Sequence, residues 1–161
     1  MASRAQADAA IDPDVDVHVP AQRLEFARTH GAVVAVIGLG GGAGALARYG
    51  ISQAMPTVPG RFPWATFLEN AVGCLLIGVL MVLITEVWST HRLLRPFLGA
   101  GVLGGFTTFS TYAVEFRALL RPGSVLLAFG YLAATMVFGL LAVLVGVWLT
   151  RSAVLTPRKG D

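Results

Sequence analysis

The chain has 161 residues, of which 55% are hydrophobic and only 13% charged, and its mean hydropathy is +0.71. A soluble domain of this length needs more charge on its surface, so the composition places the chain in the membrane class. The net charge of +3 is modest and its basic residues are scattered through connections and termini, which argues against a nucleic-acid footprint. The single cysteine, Cys74, excludes an internal disulfide and a thiolate metal cluster; among Gly73, Leu75, Leu76 and Ile77 it reads as a small apolar core side chain.

Residues 1–30 carry Asp8, Asp12, Asp14, Asp16 and Glu25 with Pro13 and Pro20, and lack the basic start and early apolar run of a secretory signal. They are expected to form a disordered or loosely ordered acidic tail. Four apolar stretches follow, at about 32–55, 64–87, 93–116 and 124–150, each near the roughly 20 residues that a helix needs to cross a bilayer core. Pro56, Pro59 and Gly60 stop the first. Pro96 fits the opening turn of the third, where no amide donor is needed, and Arg121-Pro122-Gly123 separates it from the fourth. A basic tail, 152–161, ends the chain. The runs are apolar all round and do not alternate, so a strand barrel is a poor alternative and the expected architecture is an all-α bundle of four transmembrane helices, residues 31–151. Lys and Arg near the helix ends favour one side. Arg23, Arg28, Arg92, Arg95, Arg151, Arg158 and Lys159 outnumber Arg61, Arg117 and Arg121, which points to cytoplasmic termini.

The third stretch holds most of the residues that membrane helices avoid. It reads Gly99-Ala100-Gly101-Val102-Leu103-Gly104-Gly105-Phe106-Thr107-Thr108-Phe109-Ser110-Thr111-Tyr112. Adjacent glycines near mid-span followed by hydroxyls suit a break in the helix, whose freed carbonyls can bind a cation; equally, the glycines suit close helix packing. Gly38 with Gly42 and Gly40 with Gly44, in the first stretch, read as packing pairs. In the second, Asn70 needs partners across an interface or in a wet cavity, while Glu69 lies about a turn from the membrane surface, where solvation would satisfy it. Phe109 and Tyr112 share a helical face, and their electropositive ring edges are possible weak anion ligands beside the hydroxyls of Ser110 and Thr111. Lipid-facing or core packing is the plainer reading of such rings. Arg48 and Glu115 fall where a pore would widen, or where a side chain would snorkel, and Tyr131 with Thr135 makes a polar stripe on the fourth helix.

The string Gly104-Gly105-Phe106-Thr107-Thr108-Phe109-Ser110-Thr111 closely resembles the Fluc or CrcB family of fluoride channels, together with Gly44-Ala45-Leu46-Ala47-Arg48-Tyr49, Phe62-Pro63-Trp64-Ala65-Thr66, Asn70 and Glu115. The likeness covers about Ala32 to Thr150. It implies an antiparallel dimer of four-helix subunits in the inner (plasma) membrane, with two fluoride pathways and a third helix broken near its middle. It also implies a structural sodium ion at the dimer centre, bound by the backbone carbonyls of Gly104 and Thr107. Asn70, Phe109, Tyr112, Ser110, Thr111, Tyr131 and Thr135 would then line the fluoride route, with Arg48 and Glu115 near the vestibules.

Two positions depart from the family's usual pattern: Tyr112 where a second phenylalanine is common, and Glu69 where a smaller or apolar residue is common. Glu69 is therefore expected to point away from the anion path or to be paired. The bias of Lys and Arg adds a choice between a homodimer and a heterodimer with an oppositely oriented paralogue. Competing readings are a small proton-coupled exporter, which needs a mid-membrane carboxylate that Glu69, Glu86 and Glu115 do not offer by position, and a non-transporting assembly subunit. No nucleophile, base and orienting group assemble into an enzyme site.

Overall fold

A computed structural model describes residues 20–87 and 92–155; the tail over 1–19, most of the link near Trp88 to Arg92, and 156–161 lie outside them. Helix α1 spans Pro20–Ala54 and α2 Trp64–Val82, the latter continued by a wider, π-helical turn over Leu83–Val87. Helix α3 is π-helical over Pro96–Leu103 and closes with one tighter turn, Gly104–Phe106. Helix α4 covers Phe109–Leu119 and α5 Val125–Leu155. The described residues are helical with short turns, and four spans are long and apolar enough to cross a membrane: His30–Ala54, Trp64–Val87, Pro96–Leu119 and Val125–Val154. The architecture is the all-α, four-span one that the hydropathy pattern implies.

The ends differ from the expected ones in physically readable ways. Helix begins at Pro20, not near Ala32, so the last part of the expected acidic tail is helical. Proline is preorganised for a first helical turn, and the Ala-Gln-Arg-Leu-Glu run behind it consists of strong helix formers. Helix α5 continues past residue 150 to Leu155, where Arg151 reaches back to Glu86 at the end of the second span, its Nε donating to Oε1 at 2.8 Å. Gly60 (φ +79°) and Gly123 (φ +90°) make the two turns that Pro-Gly punctuation predicted, in a backbone region that side chains disfavour.

Packing rests on missing side chains. Helix α1 lies closest to α3, and α2 to α5. A methyl on Gly44 would overlap the Val102 carbonyl oxygen, one on Gly105 the Gly41 carbonyl oxygen, and one on Gly40 would stand 2.5 Å from the Phe97 oxygen. Gly78 and Gly146 make the same demand of the α2–α5 seam, against Val143 and Leu75. Of the first-helix pairs, Gly40 with Gly44 is the packing pair; Gly38 and Gly42 face open space. Small residues let backbones approach where lipid supplies no hydrophobic drive between helices. Leu39, Leu46, Leu126, Leu140 and Trp148 stand exposed, as a lipid-facing surface requires. An aromatic core of Tyr112, Leu119, Ala128 and Tyr131, with Phe62, Phe67 and Phe116 against it, joins α4 to α5 and to the start of α2.

Candidate ion pathway

The third span is interrupted at two residues. Thr107 (φ −80°, ψ 156°) and Thr108 (φ −145°, ψ 123°) are extended, and helix resumes at Phe109. The break thus falls after the glycine pair that seemed its natural place. Gly104 keeps helical angles (φ −64°, ψ −35°), and Gly105 sits against Gly41, so the glycines serve the α1–α3 seam and the threonines carry the interruption.

Side chains from two elements hold the break open. Asn70, on α2, acts as a strand-like partner for Thr108: its Nδ2 donates to the Thr108 carbonyl at 3.1 Å, and its Oδ1 accepts from the Thr108 amide at 3.0 Å. Thr108 itself caps α4, its Oγ1 accepting from the Thr111 amide at 3.2 Å and donating to the Thr111 hydroxyl at 3.0 Å, with Ser110 Oγ at 3.3 Å. In a continuous helix the Thr108 amide would go to the Gly104 carbonyl and the Thr111 amide to that of Thr107. Both amides are diverted to side chains, which leaves the Gly104 and Thr107 oxygens without their helical donors. Between them, the Gly105 carbonyl accepts from Arg48 Nε at 3.2 Å. Gly73 leaves room for the Thr107 methyl, which a Cβ there would overlap.

Beside the break a cavity of 590 Å³ opens between α2, α4 and α5, and Asn70, Thr107, Phe109, Tyr112 and Thr135 all line it, with Cys74 among its apolar wall residues. Phe109 is 80% exposed and projects from the bundle, its ring centroid 6.0 Å from that of Tyr112. Tyr112 is buried, and its hydroxyl donates to the Leu132 carbonyl at 3.3 Å. Thr135 donates to the Tyr131 carbonyl at 2.8 Å. Tyr131 does not reach the cavity: it is 0% exposed, and packs 5.1 Å from the Tyr112 ring.

Glu115 collects hydroxyls. Its Oε2 accepts from Tyr131 at 2.9 Å, and its Oε1 from Thr66 at 3.0 Å and Thr57 at 3.4 Å. A partly buried carboxyl group is thereby satisfied by neutral donors from the first connection, α2 and α5. Glu69, for which solvation seemed sufficient, is instead 1% exposed and accepts from Ser52 Oγ at 2.9 Å. It does not line the cavity. Ser52 and Thr57 were not among the residues singled out from the sequence, and Thr108 and Thr66 appeared there only within motifs, with no role assigned. Only Thr108 carried a local signal there, as a hydroxyl residue immediately before a helical run.

The family model described as "CrcB-like protein, Camphor Resistance (CrcB)" matches residues 35–147. This chain belongs to the CrcB family. The match takes in the second and third spans, most of the first and fourth, the break and every cavity-lining residue named above. Among curated relatives, the chain is 58% identical over 128 residues to "Fluoride-specific ion channel FluC 2" of Nocardia farcinica, covering 80% of this chain and 91% of that protein. It is 58% identical over 124 residues to "Fluoride-specific ion channel FluC 1" of Streptomyces coelicolor (77% and 80% covered), and 54% over 125 residues to "Fluoride-specific ion channel FluC 2" of Streptomyces avermitilis (78% and 79%). It is a multi-pass membrane protein, and its four spans account for most of the matched region.

Proposed function

We propose that this CrcB protein is a fluoride-selective passive channel that lets cytoplasmic fluoride leave down its gradient. The observation that carries the reading is the interrupted third span, whose carbonyls, those of Gly104 and Thr107 among them, have lost their helical donors, near a cavity that presents Asn70, Thr135 and the Phe109–Tyr112 rings. Fluoride enters cells as the neutral acid and dissociates inside, so a selective exit path lowers its concentration without an energy source. Its tightly held water must be replaced by donors that remain weak enough for release. Asn70 keeps one N–H beyond the bond to Thr108, Ser110 and Thr111 add hydroxyls beside the break, and ring edges supply a weak positive field. Thr135 continues that line. Tyr131 and Glu115 belong to its supporting layer, since the tyrosine hydroxyl is engaged by the carboxyl group.

The Gly104 and Thr107 carbonyls fit a structural sodium ion: they are hard oxygen ligands, and their amide partners are engaged elsewhere. Bound there, a sodium ion supplies a fixed positive charge that offsets anion desolvation. Two such carbonyls are too few to enclose a cation, which favours the antiparallel dimer, in which a second break completes the set and the projecting Phe109 meets a partner subunit. The excess of Lys and Arg on the side of the termini favours a heterodimer with an oppositely oriented paralogue over a homodimer.

Purified chain in liposomes, alone and with such a paralogue, tests the reading. Fluoride efflux far above chloride efflux, unchanged by a proton gradient, is the expected result. Efflux that runs only with a proton gradient would make the protein an exporter, and absence of flux in both preparations would leave it an assembly subunit.

A further inference from the structure

Helix α2 holds the interruption at two points, and only one of them is polar. Asn70 takes the Thr108 amide on its Oδ1 at 3.0 Å. Gly73 is buried one turn further along, on the same face of α2, and the space left by its missing side chain is filled by the Thr107 methyl, which a Cβ there would overlap. The hydroxyl and amide of Thr107 are engaged as well, donating to the Leu103 carbonyl at 2.9 Å and 3.0 Å. A β-branched side chain is stiff at χ1, so a methyl seated against Gly73 and a hydroxyl on Leu103 specify one rotamer. The trans peptide unit between Thr107 and Thr108 is planar, with its C=O and N–H pointing in opposite directions. Because the Thr108 N–H faces Asn70, the Thr107 carbonyl faces away from it, and with the Thr111 amide taken by Thr108 Oγ1 that carbonyl has lost its helical donor.

We infer that Gly73 is a positioning residue for the cation side of the interruption: by seating the Thr107 methyl it fixes the peptide plane that carries the Thr107 carbonyl. Asn70 alone would leave that plane free to swing about its two bonds, and the methyl, held one turn along α2, removes the swing. A side chain at position 73 would have two ways to be accommodated. Rotation of Thr107 about χ1 takes its hydroxyl off Leu103, and displacement of the backbone turns the carbonyl. The buried Phe106 ring, 3.6 Å from such a Cβ, limits a sideways shift. Serine in place of Thr107 has the converse defect, since it keeps the hydroxyl and empties the notch. Both changes together move one methyl from the interruption to α2 and leave the packed volume nearly as it was. The inference deepens the channel reading and rests on it for the role of the ion, while its steric part is independent.

Purified G73A, T107S and G73A/T107S are compared with the parent by the rise in thermal midpoint as sodium chloride replaces N-methylglucamine chloride at constant ionic strength. This reads cation binding without transport. The parent's midpoint rises with sodium. In G73A the sodium concentration needed for half of that rise increases about 10-fold, on the scale of an overpacked contact. In T107S it increases about threefold, on the scale of one lost methyl. In the double variant it returns to within about threefold of the parent, because the methyl added on α2 occupies the space that Thr107 gave up. Should G73A fail to assemble, assembly regained in G73A/T107S is the same rescue, and assembly lost in both overturns the inference. An unchanged sodium dependence in G73A, a double variant no better than G73A, or a parent midpoint indifferent to sodium also overturns it. A parent that responds to sodium, and is rescued in this order, but carries no fluoride across liposomes would defeat the channel reading and leave the role of Gly73 standing.

Discussion

The α1–α3 seam and the Asn70–Thr108 clamp lie within a few residues of each other and are built on opposite principles. The seam works by subtraction: Gly40, Gly44, Gly101 and Gly105 bring two backbones together because nothing stands between them. The clamp works by addition, with one amide side chain and one hydroxyl replacing the main-chain partners that a continuous helix would have provided. Damage to the seam should therefore cost the fold, whereas damage to the clamp should cost the site while the bundle persists. Lipid sharpens the contrast, because it neither drives helices together nor satisfies a stray backbone group.

The sharpest break in that comparison comes from Gly44→Ala. Its methyl would meet the Val102 carbonyl oxygen and stand 2.8 Å from the Phe106 amide nitrogen, both backbone atoms with nowhere to go. Overpacking of this kind costs about 1–3 kcal/mol or more, and here it also pulls Arg48 from Gly105. Little assembled protein is expected, read as the monodisperse fraction after extraction and as its thermal midpoint. A midpoint equal to the parent's would show that the seam has slack and that the subtraction principle is wrong.

Asn70→Ala should separate the two regions. It strips both partners from Thr108, at about 1–3 kcal/mol for each buried group left unpaired. The bundle has the α1–α3 and α2–α5 seams to retain it, so the protein should assemble, while fluoride flux from liposomes falls by about 100-fold or more as the break loses its geometry. Asn70→Asp makes a finer cut, because it keeps the acceptor for the Thr108 amide and turns a second oxygen towards the Thr108 carbonyl. Flux should be nearly as low as in Asn70→Ala. Wild-type flux in either variant would mean that the amide is incidental to the break.

Much of this was legible in the sequence, and the boundary of legibility is physical. Span number and the two Pro-Gly turns follow from hydropathy and backbone rules that act within a few residues. An interruption in the third span was signalled by glycines and hydroxyls together, but its place was not. Glycine implies backbone freedom and close approach at once, and only the position of α1 decides that Gly104 and Gly105 use the second property. Asn70 stood out as an amide at membrane depth, yet its partner lies 38 residues away and no local pattern names it. Glu69 shows the limit most clearly. Its distance from the span's end suggested water, and its burial depends on Ser52, supplied by a different helix.

Tyr112 tests the comparison at its weakest point, where a residue of the site is also a residue of the core. Compared with a phenylalanine, this tyrosine adds a hydroxyl beside the cavity, and in isolation that group would be a candidate donor to fluoride. In the folded chain it already donates to the Leu132 carbonyl at 3.3 Å, so it is engaged across the α4–α5 contact at the cavity wall. Tyr112→Phe removes one long interhelical hydrogen bond, of a kind worth about 0.6 kcal/mol in membrane proteins, and keeps the ring and its edge. The thermal midpoint should drop slightly and fluoride flux should stay within about threefold of the parent, since each 1.4 kcal/mol is a factor of ten in rate. A tenfold change in flux at unaltered stability would mean that the hydroxyl leaves Leu132 to meet the ion, and that the division between supporting core and conducting surface runs through this side chain.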